Sequence, residues 1–335
     1  MIKIVKEPLS LEADSIESFV RDHPMGNYFQ SPSLYHLYLK TSNYNPILLV
    51  SYGASKEING VLLANLQREK GVVKGHLSSR CIVVGGPLVA NDDLSVAGQL
   101  VQKLTYLARD SSIYIEFRQL FVGDSMDRVF QAQDLDRLEY YNYIMPTNDA
   151  AEIWKRLHQN RRRQIDRALR EGARIVIADR IEQVREFYDI LSFLYRTKVK
   201  KPLPPLELFE NFFCDRFTGK YFLVEFRGKI IGGAVCPIYR KTIYEWYLCG
   251  LNGVYNKTLY PSVLATWAPI DYASKNGLTK FDFMGAGPVH MGYGVRDFKE
   301  RFGGELVKYN RFFKINNRLM FQIGKVGLKV YSHFR

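Results

Sequence analysis

Short apolar segments alternate with amphipathic ones along this chain, and the order of the segments repeats. Two apolar strands joined by a polar turn are predicted at residues 47–52 and 58–66, and a second such pair is predicted at residues 221–226 and 230–238. About 170 residues separate the two pairs. The pattern therefore predicts two related domains of mixed α/β structure.

Three further elements follow each strand pair: a helix, a short strand with an acid at its centre, and a closing strand with a Tyr-Asn pair. They are predicted at residues 94–109, 114–117 and 139–145 in the first copy and at residues 261–275, 280–283 and 306–313 in the second. The two acids are Glu116 and Asp282. Matching acids at similar offsets favour a duplication over the chance alternation found in any α/β protein.

The boundary between the copies is expected near residue 148, which gives domains of residues 1–148 and 149–316. Asp149 followed by Glu152 is a capping-box arrangement, and it predicts a helix that ends at Gly172. Apolar residues fall on one face of this helix. The other face is strongly basic and carries Lys155, Arg156, Arg161, Arg162, Arg163, Arg167 and Arg170.

Composition narrows the class of protein. With 335 residues, 47% hydrophobic and 24% charged, the chain is ordinary globular protein. Its longest apolar stretches fall far short of the roughly 18 residues of a membrane span, and its first residues lack a signal-peptide pattern, so a cytoplasmic location is expected. The four cysteines have no CxxC spacing and the six histidines are dispersed, so no metal site is expected.

The positive charge is unevenly distributed. Residues 1–150 hold 14 Lys and Arg against 17 Asp and Glu, a net charge of −3, whereas the remainder of the chain has a net charge of +16. The residues after position 150 are therefore expected to bind an anion, which could be nucleic acid, a phosphorylated small substrate or an anionic membrane surface. A soluble protein that is merely basic is the alternative.

Several motifs resemble those of the FemABX family. They are Tyr28-Phe-Gln-Ser, Val84-Gly-Gly-Pro-Leu, the segment from Asn160 to Ala173, Thr197 with Lys200 and Lys201, Gly285-Ala-Gly after a Phe-Asp-Phe strand, and the segment from Gly294 to Gly304. The Phe298-Lys-x-x-Phe302-Gly-Gly element is the most specific of them. The resemblance covers nearly the whole chain.

This resemblance implies two GNAT-like acyltransferase domains in tandem. Family members transfer an amino acid from aminoacyl-tRNA to a lysine-type amine of a peptidoglycan precursor in the cytoplasm, and they need no cofactor. Because only a short segment separates Leu206 from Lys220, the long coiled-coil arm of some members is expected to be absent. Asp166 and Phe117 stand where the family often has arginine and proline, so the resemblance does not identify the exact acceptor.

Acyl transfer from an activated ester to an amine needs a positioned amine, donors for the oxyanion and cations for the phosphates of large substrates. The resemblance implies that Lys299 stabilises the transferring carbonyl or the acceptor phosphate; a partly exposed ammonium is expected, and a surface lysine paired with Glu300 or Asp297 is the alternative. Glu116 is the candidate general base or orienting group for the amine. An acid that merely faces outward on its strand would show the same pattern.

Residues expected to bind substrate are either basic or lie beside the glycine-rich turn. They are Lys40, Arg162, Arg163, Arg167, Lys200, Lys201, Asp282, Gly285, Gly287 and His290. The glycines would bring backbone amides close to a phosphate, although a short glycine-rich segment is more often only a turn. The alternative interpretation of His290 is that it is a solvated histidine in a loop.

Three points stay open. The tail, residues 317–335, mixes apolar and basic residues, so either it packs back on the first domain or it makes a peripheral contact with an anionic membrane. An acyl-CoA-dependent N-acyltransferase acting on a sugar or surface-polymer precursor is the rival enzyme, although no glycine-rich pyrophosphate loop is evident. A non-enzymatic RNA-binding protein that uses residues 160–170 is the third possibility.

Overall fold

The computed structural model describes residues 1–5, 10–69, 71–121, 123–215 and 218–324, and these residues form two compact units. The first unit consists of Met1–Glu139 together with the chain from Tyr309 onward, and the second consists of Tyr140–Lys308. These divisions differ from the expected boundaries at residues 148 and 316. The difference arises from two strands that are described below.

The described part of the chain contains the following elements. The strands are β1 (Ile2–Val5), β2 (Tyr44–Tyr52), β3 (Ile58–Gln67), β4 (Arg80–Val84), β5 (Leu88–Val89), β6 (Tyr114–Arg118), β7 (Asp136–Pro146), β8 (Arg174–Ile177), β9 (Gly219–Phe226), β10 (Lys229–Tyr239), β11 (Thr242–Tyr244), β12 (Tyr247–Gly250), β13 (Lys280–Asp282) and β14 (Glu305–Ile315). The α-helices are α1 (Ser10–Asp22), α2 (Pro32–Leu39), α3 (Val72–Ser78), α4 (Leu94–Ala108), α5 (Asp124–Gln131), α6 (Ala150–Arg156), α7 (Gln159–Arg170), α8 (Ile181–Leu194), α9 (Leu206–Cys214), α10 (Pro261–Lys275) and α11 (Gly294–Glu300). A π-helical turn, Tyr195–Val199, follows α8.

The sheet of the first unit has the order β1-β2-β3-β4-β6-β14, with β5 paired to β3. Neighbours are antiparallel except β4 and β6, which are parallel. Helix α4 packs its apolar face, including Leu100 and Leu104, on the sheet beside the buried rings of Phe117 and Phe130. Asp93 caps this helix by accepting from the amides of Ser95 (2.9 Å) and Val96 (3.1 Å).

The sheet of the second unit has the order β7-β13-β11-β10-β9-β8, with β12 paired to β10. Only β11 and β13 are parallel among these pairs. Helix α10 contributes Leu264, Ala268 and Ile270 to a core that also contains Phe281 and Phe302. Each strand of this sheet therefore has a counterpart, in the same order and direction, in the first sheet.

The closing strands are exchanged relative to the sequence expectation. Each copy was expected to end with its own strand, but β14, which follows the second copy in the chain, pairs with β6 of the first unit. Strand β7, which follows the first copy, pairs with β13 of the second unit. That expectation is wrong because an antiparallel partner does not have to be the next strand in the chain. The exchange also moves the unit boundaries into β7 and β14.

The predicted basic helix is interrupted. Asp149 caps α6 as expected, accepting from the amides of Ala151 (2.8 Å) and Glu152 (3.2 Å). The helix stops at Leu157, which is buried with ψ near 131°, and His158 donates its amide to the Arg301 carbonyl at 3.0 Å. Helix α7 then starts afresh with the His158 side chain as its cap. One predicted helix is therefore two.

The remaining features concern the arm and the tail. Because α9 has nine residues and only residues 215–218 precede β9, the expected absence of a long coiled-coil arm is confirmed. In the tail, Phe321 packs on Tyr114 and Phe313 of the first unit with ring centroids 5.9 and 5.5 Å apart. Residues 325–335 lie outside the described chain. No helix within the described ranges combines the length and apolar character of a membrane span.

Candidate functional site

Lys299 lies near the end of α11 and is buried, with 7% of its surface exposed. Its Nζ donates to the carbonyls of Phe283 and of Gly285 (3.0 Å), and it forms an ion pair with Glu245 Oε2 at 3.3 Å. The expectations of a partly exposed ammonium, and of pairing with a carboxylate of its own helix, are wrong. Packing explains the burial, because Phe298 and Phe302 on either side direct this face of α11 into the core.

Glu245, between β11 and β12, is the carboxylate that faces Lys299, and it was not identified from the sequence. It is 3% exposed, and its Oε1 accepts from the Thr266 hydroxyl of α10 at 2.7 Å. Burial raises the pKa of Glu245, and the nearby Lys299 ammonium opposes this rise. An acid inside the apolar run from Ile243 to Cys249 was the available signal, the same one that selected Asp282.

Asp282, at the end of β13, is the second buried acid of this cluster, with 1% of its surface exposed. Its Oδ1 accepts from Asn142 Nδ2 and from the Met284 amide, both at 2.8 Å, whereas its Oδ2 is buried without a hydrogen-bond partner. Burial raises its pKa, while the bond from Asn142 lowers it. The cluster thus sets two buried carboxylates against the single ammonium of Lys299.

The glycine-rich segment after β13 is held by protein groups on both sides. The Gly285 amide donates to Asn142 Oδ1 at 2.6 Å, and the Ala286 amide donates to the Tyr141 carbonyl at 2.6 Å. The Gly287 carbonyl accepts from the Tyr141 amide at 2.9 Å. The amides of Gly285 and Ala286 are therefore engaged within the protein.

Glu116, in the middle of β6, belongs to the first unit. Its carboxylate accepts from Arg118 Nη2 and from Arg311 Nη1, each at 2.8 Å. Burial alone would raise the pKa of Glu116, but the charges of Arg118 and Arg311 outweigh it and lower the pKa to about 2. A carboxylate with so low a pKa is a weak proton acceptor near neutral pH, so the general-base interpretation loses support.

The basic face of α6 and α7 divides into buried and exposed members. Arg161 is 5% exposed; its Nη2 donates to the Phe298 carbonyl at 3.0 Å, and its guanidinium lies 4.5 and 5.0 Å from the rings of Phe298 and Phe302. It belongs to the core and not to a solvated face. Arg163 and Arg167 are exposed, and Arg167 lies 3.8 Å from Glu171. Arg162 is half-buried and donates to the Trp154 carbonyl at 3.3 Å.

The other predicted substrate-binding residues lie on turns and helix ends. Lys40 is exposed at the end of α2 in the first unit. Lys200 has a left-handed backbone, with φ of 53°, directly after the π-helical turn, and the exposed Lys201 follows it. His290 is exposed in a turn of the second unit. In the described ranges no group of three or more His, Cys, Asp or Glu side chains is arranged to hold a metal ion.

The helices α4 and α10, which lie in the chain between the two parallel strands of each unit, begin with several of their amides already engaged. In α10, Pro261 has no N–H, the Ser262 amide donates to Asn252 Oδ1 at 3.2 Å, and Asn252 Nδ2 returns a bond to Ser262 Oγ at 2.8 Å. The Val263 amide donates to the Tyr260 carbonyl at 2.9 Å. In α4 the Asp93 carboxylate occupies the same place. The amides of Ser95 and Val96 in α4, and those of Ser262 and Val263 in α10, are therefore engaged within the protein and not free for a pyrophosphate.

Comparisons with known proteins agree with this architecture. Residues 155–300 match the model of the GNAT acetyltransferase domain. Among solved structures, FemX is similar with a TM-score of 0.70 and 14% identity, over 96% of this chain and 99% of that chain. The C-terminal domain of a putative lysylphosphatidylglycerol synthetase from Agrobacterium fabrum is similar with a TM-score of 0.59 and 12% identity, over 95% of both chains.

A tandem GNAT protein from the clavulanic acid biosynthesis pathway is also similar, with a TM-score of 0.54 and 9% identity over 95% of this chain and 99% of that chain. No sequence relative is found among curated proteins. The resemblance to the FemABX family is thereby confirmed at the level of the fold. The chain has a tandem GNAT fold like that of FemX, and its matched domain makes it an acyltransferase.

Proposed function

We propose that this protein is an aminoacyltransferase that moves an amino acid from aminoacyl-tRNA to an amine of a phosphorylated cell-wall precursor in the cytoplasm. The observation that carries the choice of donor is the occupied start of α10, in the domain that matches the GNAT model. Coenzyme A would need amides there for its pyrophosphate, and Asn252 and Tyr260 already use them. An aminoacyl-tRNA ester has no pyrophosphate that would need these amides.

The distribution of charge supports a nucleic-acid donor. Arg163, Arg167 and Arg170 are exposed on α7, and the residues after position 150 carry a net charge of +16. Such a surface attracts a phosphate backbone over several ångströms and independently of sequence. The half-buried Lys200 and the exposed Lys201 would add to it on the same unit. The likeness to FemX supports a cell-wall precursor as the acceptor.

Acyl transfer from an ester to an amine requires few catalytic side chains. The acceptor nitrogen attacks the ester carbonyl, the new C–N bond forms as the C–O bond to the ribose breaks, and the proton lost by the amine is taken by the leaving ribose oxygen. Orientation and charge stabilisation provide most of the acceleration in such a reaction. In this proposal the cluster around Lys299 shapes the site, and Glu116 orders Arg118 and Arg311 and does not remove a proton.

The likeness to a putative lysylphosphatidylglycerol synthetase supports a second acceptor, an anionic phospholipid headgroup, with the same donor. The name of that protein links a lysyl group to phosphatidylglycerol, so both candidate acceptors carry phosphate. The two differ in whether the product stays in water or in a membrane. They can therefore be separated in a single assay.

The test presents the purified protein with two labelled donors, a charged tRNA pool and acetyl-CoA. The acceptors are a phosphorylated peptidoglycan precursor with a free lysine-type amine and phosphatidylglycerol vesicles. We expect the precursor to gain the mass of one aminoacyl residue, only with charged tRNA, and we expect calorimetry to detect no low-micromolar binding of acetyl-CoA. Acetylation of any acceptor, or tight acetyl-CoA binding, would favour the rival enzyme; tRNA binding without a product would favour the RNA-binding protein.

A further inference from the structure

The ammonium of Lys299 is engaged by protein groups, because it donates two hydrogen bonds and forms one ion pair. A lysine ammonium carries three N–H donors. Here its three neighbours are the carbonyls of Phe283 and Gly285 and the carboxylate of Glu245. What the lysine holds in this conformation is the segment after β13.

That segment has a backbone that needs to be held. Met284, Gly285 and Gly287 have φ angles of 58°, 118° and 82°, in a region where a non-glycine residue such as Met284 is strained. The same helix that carries Lys299 adds Arg296, which donates to the carbonyls of Ala286 (3.2 Å) and Pro288. Helix α11 therefore binds the carbonyls of Phe283, Gly285, Ala286 and Pro288, while β7 binds the amides of Phe283, Gly285 and Ala286.

Glu245 makes this arrangement possible. An ammonium buried without a counter-ion is strongly unfavourable, and Glu245 is the carboxylate with which the described structure pairs Lys299. The acid is itself fixed, since its Oε1 accepts from Thr266 and its amide donates to the Asp282 carbonyl at 2.9 Å. Its side chain is 1% exposed, so no substrate reaches it.

We propose that Glu245 is a positioning residue for acyl transfer, acting through Lys299, and that this ion pair holds residues 283–288 in the conformation that transfer requires. The proposal rests on the acyltransferase function proposed above. It assigns Lys299 to the loop and not to the transferring carbonyl. Both residues therefore affect the reaction through the position of the loop.

The experiment measures the loop and the reaction separately. Amide hydrogen exchange over residues 283–287 is followed in the full chain for Glu245→Gln, Lys299→Met, the double variant and Thr266→Val, which leaves both charges in place. Asp271→Asn is the matched control, because Asp271 forms an exposed ion pair with Lys275 on α10 of the same unit. Thermal melting and, with the substrates identified above, kcat and KM are recorded for the same samples.

We expect exchange of the loop amides to accelerate at least about tenfold in Glu245→Gln and in Lys299→Met, and by less in Thr266→Val. Both charge variants should lose at least about tenfold in kcat with KM changed less than about threefold, because the loop is misplaced while the substrates still bind. The double variant should melt higher than Glu245→Gln, since it no longer buries an unpaired ammonium. The control should match the parent protein throughout.

Two results would overturn the proposal. If kcat falls in Lys299→Met while the loop amides stay protected, the lysine acts on the substrate directly. If the loop opens and kcat is unchanged, the loop conformation is irrelevant to transfer. Should no donor and acceptor pair react with the parent protein, the proposed function fails, but the exchange data still decide whether the ion pair holds the loop.

Discussion

Arg161 provides the sharpest test of how the basic helix is divided, because its side chain is buried whereas its neighbour Arg163 is exposed. Replacing Arg161 by alanine removes the hydrogen bond to the Phe298 carbonyl and the contacts with two aromatic rings. The carbonyl belongs to the residue before Lys299. The change therefore weakens the attachment of α7 to α11.

The magnitude follows from these contacts. A hydrogen bond from a charged donor contributes about 1.5–3 kcal/mol, and a guanidinium stacked on a ring away from water adds about 1–2 kcal/mol. We expect Arg161→Ala to destabilise the second unit by about 3–4 kcal/mol, which lowers the melting temperature of a unit this size by roughly 8–12 °C. Arg161→Lys keeps the charge without the planar stacking group, so we expect about half of that loss.

The assay compares thermal and urea unfolding of Arg161→Ala with that of Arg163→Ala, which should stay within about 0.5 kcal/mol of the parent protein. Binding of tRNA, measured at several salt concentrations, completes the comparison. Arg161→Ala should leave the salt dependence unchanged, because a buried guanidinium contacts no phosphate. Equal melting temperatures for the two variants, or a flatter salt dependence in Arg161→Ala, would refute the division into buried and exposed arginines.

Two further predictions concern charge. Replacing Arg163 and Arg167 together by alanine should reduce the slope of log affinity for tRNA against log salt by about 1.5, and Lys275→Ala, an exposed control, should not change it. Because the pKa of Glu116 is lowered from 4.5 to about 2, its stabilising effect is complete above pH 4.5 and lost as the pH falls towards 2. The difference in melting temperature between the parent protein and Glu116→Gln should therefore disappear over that range; a constant difference would contradict the pairing with two arginines.

Local periodicity was enough to predict the strands and helices of the repeat. The predicted helix at residues 261–275 coincides with α10, and the acid-bearing strands coincide with β6 and β13 to within a residue at each end. These elements have strong apolar patterns and clear start signals. The exchange of β7 and β14 could not be predicted, because an antiparallel strand with alternating residues fits either sheet equally well.

The candidate site was harder to predict, and for an identifiable reason. Arg161 was assigned to the solvated face although it lies on the same helical stripe as the buried Ile165 and Ala168, four and seven residues on. We assigned Arg161 to the solvated face because it is charged, although its position on the helix indicated burial. Lys299 was expected to be partly exposed for the same reason, but it is buried. Burial of a charge depends on partners from distant segments, here Glu245 and the Phe298 carbonyl, which local sequence does not reveal.

The two acids of the repeat lie in different electrostatic environments. Glu116 and Asp282 occupy equivalent strands, each between one parallel and one antiparallel neighbour. Glu116 is paired with two arginines and has a lowered pKa, whereas Asp282 is buried beside an amide and has a raised pKa. The first carboxylate lies between two arginines, and the second lies beside a lysine and the strained segment of residues 283–288. Because the GNAT match also covers the second unit, the loop beside Asp282 is where we expect substitutions to change kcat most.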